Sequence, residues 1–234
     1  MAKRPIFIPL FSEYPYTKEI FIEFEWYPGF SKTQAQKSIR SIHSQALKKK
    51  IGPVLEISSK SEDPLGVSLS AFNLKLTIEK YTMSVECAFQ GSKVFQLGGP
   101  YVDLYYSTSL EAKKDKRIRE SGDLIGFDIL GINFPNRPIT LFYDWLYLIA
   151  LSQNTYLTER LLEFRGFSDI AFNPDRSWNC QAKSAALFVS LSNSPEIDMN
   201  LMISDKEYYK KIMGENNRLR DLPSENISQL GFPF

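Results

Sequence analysis

The segment Ile139–Ser152 (Ile-Thr-Leu-Phe-Tyr-Asp-Trp-Leu-Tyr-Leu-Ile-Ala-Leu-Ser) is apolar on nearly every side when wound at helical pitch. A helix without a polar stripe cannot lie on a surface, so the spacing predicts a core helix that the rest of the chain must wrap. The chain has the material to do so. Hydrophobic residues are 43% of its 234, and aromatics 14%. That composition excludes disorder and suits one large domain, or one domain with a substantial extension.

Around that helix the pattern changes period. Glu19–Trp26 alternates, with Ile20, Ile22, Phe24 and Trp26 on one face and Glu23 and Glu25 on the other, the signature of a half-buried strand. Tyr27-Pro28-Gly29-Phe30 breaks it. Ser31 then caps an expected helix to about Lys50, with Ile39, Ile42 and Leu47 as its apolar side and Gly52-Pro53 as its stop. Val54–Ser58 and Val67–Ile78 read as strands. Ser84–Phe95, a charged Leu110–Glu120, Leu157–Phe164, Gln181–Leu191 and Lys206–Met213 read as helices. The expected fold is α+β, a mostly helical single domain with a small sheet. Residues 1–53 form a strand-helix extension, 54–192 a core, and 193–234 a C-terminal helix and tail.

Charge and cysteine content remove several functions. With 28 Lys+Arg against 27 Asp+Glu the net charge is +1, too small for a global field that coats nucleic acid, so any such contact is expected through a local patch. The basic runs are the Lys32–Lys50 helix and Lys113-Lys114-Asp115-Lys116-Arg117-Ile118-Arg119, either of which also reads as an ordinary solvated face. Cys87 and Cys180 are far apart and form no framework, which points to a reducing compartment. A single histidine, His43, excludes a multi-histidine zinc site, and it reads as a surface residue of a basic helix. The opening apolar run is short and cut by prolines, and no segment reaches bilayer length, so a soluble, cytoplasmic protein without cofactor or metal is expected.

The chemistry concentrates in Ser84–Phe95. Glu86, Gln90 and Lys93 fall at i, i+4 and i+7, on one helical face among Val85, Ala88, Phe89, Val94 and Phe95. An acid and an amine in apolar surroundings are candidates for shifted pKa values and paired roles. The alternative is an ordinary amphipathic helix showing its Glu/Lys face to water.

The segment Ser84-Val85-Glu86-Cys87-Ala88-Phe89-Gln90-Gly91-Ser92-Lys93, followed by Val94-Phe95, resembles the NADAR signature: Thr/Ser-x-Glu, then Phe-Gln-x-x-Lys and an aromatic. Cys87 stands where histidine is usual, and one extra residue precedes the aromatic. Gly66-Val67-Ser68-Leu69-Ser70-Ala71-Phe72 resembles the family's Gly-x-x-Ser-Asn-Phe element, with Ala71 for asparagine. Tyr143-Asp144-Trp145 and Arg160-Leu161-Leu162 follow in the family's order. Asn173-Pro174-Asp175-Arg176-Ser177-Trp178-Asn179 resembles its Asp-x-x-Trp-Gly motif, with Asn179 for glycine.

The resemblance implies an ADP-ribosyl N-glycosidase with Glu86, Lys93, Asp175 and Trp145 as its catalytic group. Gln90, Phe89, Lys60, Ser70, Phe72, Asp144, Trp178 and Asn179 would then contact substrate. Such chemistry suits these residue types. Cleaving an N-glycosidic bond builds positive charge on the ribose, which carboxylates stabilise while activating water. The lysine would hold a phosphate as a point charge or attack the opened sugar as a Schiff-base nucleophile. The wording of the motifs and the N-terminal extension look most like the antitoxins of DarTG-type systems. The implied substrate is ADP-ribosylated guanine in DNA, with ADP-ribose as product and the cognate toxin as a further partner. Two alternatives stay open: cleavage of a small phosphoribosylated metabolite, as in riboflavin-pathway relatives, and non-catalytic binding of ADP-ribose or toxin.

Overall fold

The computed structural model describes residues 1–11, 14–175 and 177–214. β1 (Ala2–Pro9) and β2 (Thr17–Phe24) pair antiparallel along their whole length, from Ala2 opposite Phe24 to Pro9 opposite Thr17. α1 (Lys32–Lys48) starts where the Ser31 hydroxyl accepts the Gln34 N–H at 3.2 Å. β3 (Val54–Glu56) and α2 (Pro64–Ser68) follow. The β4 (Lys75–Ile78) and β5 (Tyr81–Ser84) hairpin runs straight into α3 (Val85–Gly91) and β6 (Lys93–Phe95). After a 3-10 turn come α4 (Ser109–Lys114), α5 (Arg117–Glu120), β7 (Leu124–Ile129) and β8 (Ile132–Pro135). α6 (Thr140–Ser152), α7 (Thr155–Leu161), β9 (Gly166–Ser168) and α8 (Gln181–Ser192) precede two short helices, α9 (Met199–Ser204) and α10 (Lys206–Ile212). The class is mixed α and β, with helix predominating.

Two compact units divide these elements. The first, Met1–Ser70 with Asn154–Asn200, is built on a four-stranded sheet in the order β2-β1-β9-β3, with β9 and β3 parallel. Ile6, Ile22 and Phe24 of the hairpin meet Ile39, Ile42 and Ala46 of α1 and Ile170 in one apolar cluster. The second runs over Ala71–Gln153 and resumes at Leu201. It contains the β4-β5 hairpin, the β6-β7-β8 sheet and α6. Every residue of α6 from Leu141 to Leu151 is buried, as its all-round apolar sequence requires. It packs against α3, β4 and β8.

Several sequence expectations are corrected. Val67–Ile78 is not one strand. Asp63 caps a helix by accepting the Leu65 N–H at 2.8 Å, Pro64 takes its first turn, and only Lys75–Ile78 pairs as a strand. The expected helix over Ser84–Phe95 stops at Gly91. An added Cβ there would lie 2.6 Å from the Tyr105 ring, so the 3-10 turn crosses close and the chain leaves as β6. Leu110–Glu120 is broken at Asp115, whose carboxylate accepts the Arg117 N–H and caps a new turn. In α1 it is Ala46 that enters the core, while Leu47 is 71% exposed. The part of the C-terminal tail beyond Gly214, and Arg176, lie outside the described residues. Among the described residues no helix is long and apolar enough to cross a membrane.

Candidate active site

In the second unit the β5–α3 junction is stitched from both sides. The Ser84 hydroxyl accepts the Cys87 N–H at 3.1 Å and lies 2.7 Å from the Ser109 hydroxyl, which donates to the Phe72 carbonyl at 2.7 Å. The backbone N–H of Glu86 donates to the Ala71 carbonyl at 3.0 Å. These bonds fix Phe72, Ala71 and the first turn of α3 as one piece, and so fix where the Glu86 side chain starts.

Glu86, Gln90 and Lys93 are 7%, 2% and 8% exposed, so the solvated-face alternative is overturned. Gln90 Nε2 donates to Glu86 Oε1 at 2.9 Å, the i, i+4 contact expected on one helical face. Lys93 is not on that helix. It opens β6, paired with Phe127 of β7, and its Nζ lies 4.8 Å from the Phe89 ring centroid. Burial pulls the Lys93 ammonium down to about 8; the Glu86 charge opposes the fall and that of Lys113 adds to it. Lys113 itself sits 5.2 Å over the Phe72 ring.

An aromatic stack continues from Phe89 into α6. Phe89 meets Phe127 at 5.4 Å, Phe127 meets Phe142 at 4.6 Å, and Phe134 bridges Phe142 and Trp145 at 5.2 and 4.9 Å. Trp145, 3% exposed, thus already rests on Phe134, and Asp144 beside it is also buried.

The remaining sequence-derived candidates lie in the first unit. Gly66 packs so closely that a Cβ would collide with the Glu56 carbonyl oxygen and the Ser61 hydroxyl, which accounts for glycine at this motif position. Ser70 is buried and Lys60 half-buried. Asp175 is exposed in a turn where its N–H donates to Asn173 Oδ1 at 3.2 Å; Trp178 is half exposed and Asn179 half-buried. Four buried atoms of these candidates have no hydrogen-bond partner among the described residues: Ser70 Oγ, Gln90 Oε1, Trp145 Nε1 and Asn179 Oδ1. Gln34 Oε1 on α1 shares this condition outside the set. A buried polar atom left without a hydrogen bond costs free energy, and Gln34 shows that this condition is not confined to the candidate set.

Over residues 2–221 the sequence matches the family model described as DarT1-associated NADAR antitoxin. The chain belongs to that family. Membership makes it a NADAR antitoxin, with a DarT1 toxin as its counterpart. No curated protein matches it.

One polar cluster of this NADAR chain escaped the sequence reading. Glu56 on β3, 2% exposed, accepts the Ser168 hydroxyl at 2.6 Å, the Ser58 hydroxyl at 2.8 Å and the Ile170 N–H at 2.9 Å. His43 reads from the sequence as a surface residue but is half-buried, its Nε2 2.8 Å from the Ser168 hydroxyl, and burial lowers it to about 4. Burial also raises Glu56. The neighbouring Asp169 is raised to about 7, by burial first and the Glu56 charge second. The available signal was a glutamate set between Leu55 and Ile57 in an otherwise apolar strand. Glu56→Ala leaves the Ser58 hydroxyl and the Ile170 N–H without acceptors. It is expected to lower stability by about 3 kcal/mol in urea titration, and a loss under about 1 kcal/mol would show that the carboxylate is not what holds β3 to β9.

Proposed function

We propose that this NADAR antitoxin hydrolyses the bond joining ADP-ribose to guanine in DNA, reversing the modification made by its toxin. The observation that carries this reading is the buried acid–amine pair, Glu86 on α3 and Lys93 on β6. Burying a carboxylate and an amine in an aromatic surround costs stability, and titratable groups kept in such a setting are functional-site candidates. Gln90 orients the Glu86 carboxylate through its N–H and keeps its own Oε1 for substrate.

In the reaction, water adds across the ribose C1–nitrogen bond: oxygen goes to C1, and the guanine nitrogen leaves with a proton. Glu86 stabilises the cationic sugar and accepts the proton of the attacking water. In the route through Lys93, its free amine displaces the guanine nitrogen from C1, and guanine leaves with a proton from that amine. The ribosylamine so formed opens to an imine, and the water whose proton Glu86 accepts hydrolyses it, which returns the amine and yields the same products. Trp145 offers its unpartnered N–H to substrate. On the family resemblance, Asp175 is a further catalytic residue, and Phe72, Phe89, Lys60, Ser70, Asp144, Trp178 and Asn179 are substrate contacts.

Incubation of the full chain with a guanine-ADP-ribosylated oligonucleotide should release ADP-ribose and restore unmodified guanine. Cleavage of a phosphoribosylated pyrimidine with the modified DNA left intact would replace the substrate. Tight ADP-ribose binding without turnover of either would replace the reaction with a binding role.

A further inference from the structure

From Trp26 to Leu55 the chain contains no aspartate or glutamate, and within that span Lys32, Lys37, Arg40, Lys48, Lys49 and Lys50 are all exposed. Lys48 to Lys50 follow the rule that cations gather at a helix C-terminus. The others do not. Lys32 sits in the first turn, where a cation is disfavoured, and Lys37 and Arg40 are like-charged neighbours at i, i+3. Among the described residues Arg40 alone of the six finds an acid, Glu62 at 2.8 Å, in a pair too exposed to contribute much. α1 therefore carries self-repulsion that a polyanion would relieve.

The same helix borders an open groove of about 430 Å³ lined by Tyr27, Lys37, Arg40, Ser41, Ser44 and Gln45. The Ser38 and Ser41 hydroxyls accept the Tyr27 and Glu25 N–H groups, each at 3.0 Å, and so clamp the chain leaving β2 along α1. That clamp lays aromatic faces beside the cations. Lys37 Nζ lies 5.9 Å from the Tyr27 ring, Arg4 lies 5.8 Å from a Trp26 that is 38% exposed, and Phe30 is 92% exposed. Lys37 and Arg40 line the groove with the half-buried Tyr27, Lys32 and Lys48 lie at the two ends of the same helix, and Trp26 and Phe30 expose their rings between β2 and α1. Cations along a helix beside aromatic rings match a single nucleic-acid strand: phosphates for the charges, base faces for the rings.

We propose that the α1 groove seats single-stranded DNA, with Lys32, Lys37 and Lys48 along the phosphates and Tyr27, Trp26 and Phe30 offered to unstacked bases. This rests on the DNA de-ADP-ribosylation reading for the reason a strand is present, but not for the binding itself.

The test uses the full chain and a fluorescent, unmodified single-stranded oligonucleotide. The triple variant Lys32→Gln, Lys37→Gln, Lys48→Gln should bind it at least tenfold more weakly at low salt. The slope of log affinity against log salt should become shallower by about 2, roughly 0.7 for each phosphate that the variant no longer neutralises. The variant should cleave ADP-ribosylated guanosine, which has no strand to dock, at the parent rate. Unchanged affinity and slope would overturn the proposal. So would tighter binding of the parent to duplex than to single strand, or a variant that loses purified toxin while keeping the oligonucleotide. If the parent cleaves neither modified substrate, the glycosidase reading fails, and the unmodified oligonucleotide still decides the groove.

Discussion

Glu86→Gln will abolish release of ADP-ribose from modified DNA while leaving the fold intact. Glutamine has the shape of glutamate, so the exchange keeps the side-chain volume in α3. The Gln90 N–H still finds an oxygen, because the new amide can present its Oε1 where the carboxylate oxygen sat. On the proposed mechanism, what disappears is the negative charge that meets a cationic sugar and the base that takes the water proton. Losing a positioned general base alone removes roughly 10²–10⁴-fold in rate, and losing the charge adds to it. The expected readout is activity below one thousandth of the parent, about a 10³-fold loss, with an unfolding midpoint close to the parent's. Activity within tenfold of the parent, about 1.4 kcal/mol of barrier, would remove Glu86 from the mechanism.

Lys93→Arg will be nearly as damaging. Arginine keeps the positive charge and would serve as a phosphate contact at least as well as lysine, but its guanidinium never supplies a free amine near neutral pH. If the amine attacks the sugar, the variant is dead and borohydride traps an ADP-ribose adduct on the parent at Lys93. An active arginine variant with no adduct would return this lysine to phosphate binding. The parent's rate should climb with pH through about 8, because only the neutral amine is nucleophilic and burial has lowered Lys93 to that value. Stability responds with a definite sign. Between about 8 and 10.5 the unfolded lysine holds a proton that the folded one has lost, so Lys93 favours folding more as pH rises across that window.

How much was legible beforehand differs between fold and site. The all-round apolar run of α6 and the alternation of β2 were read correctly because both patterns record burial directly. The Glu86–Gln90 face was legible from i, i+4 spacing, but its burial was not: spacing says which side chains align and not what lies against them. Nor did spacing show that α3 stops at Gly91, since what fixes that end is Tyr105, a residue from a later turn. β9 and most of the Glu56 cluster were invisible for the same reason. Ser168 lies 112 residues from the carboxylate it serves, and three-residue strands are too short to show a period. The cationic character of α1 was plain in the sequence, whereas the groove beside it depends on Ser38 and Ser41 clamping the exit of β2.

The break between α3 and β6 gives the acid and the amine separate supports. Had Lys93 continued the helix, any rotation of that helix would have carried both groups together. Instead Glu86 turns with α3, while the Lys93 backbone is held in register with Phe127. Drift in the core around α3 therefore re-aims the carboxylate while the backbone of Lys93 keeps its strand register. On the proposed function, a lineage whose toxin changes its target base would have a route to follow it that passes through α3 and keeps the β6 register.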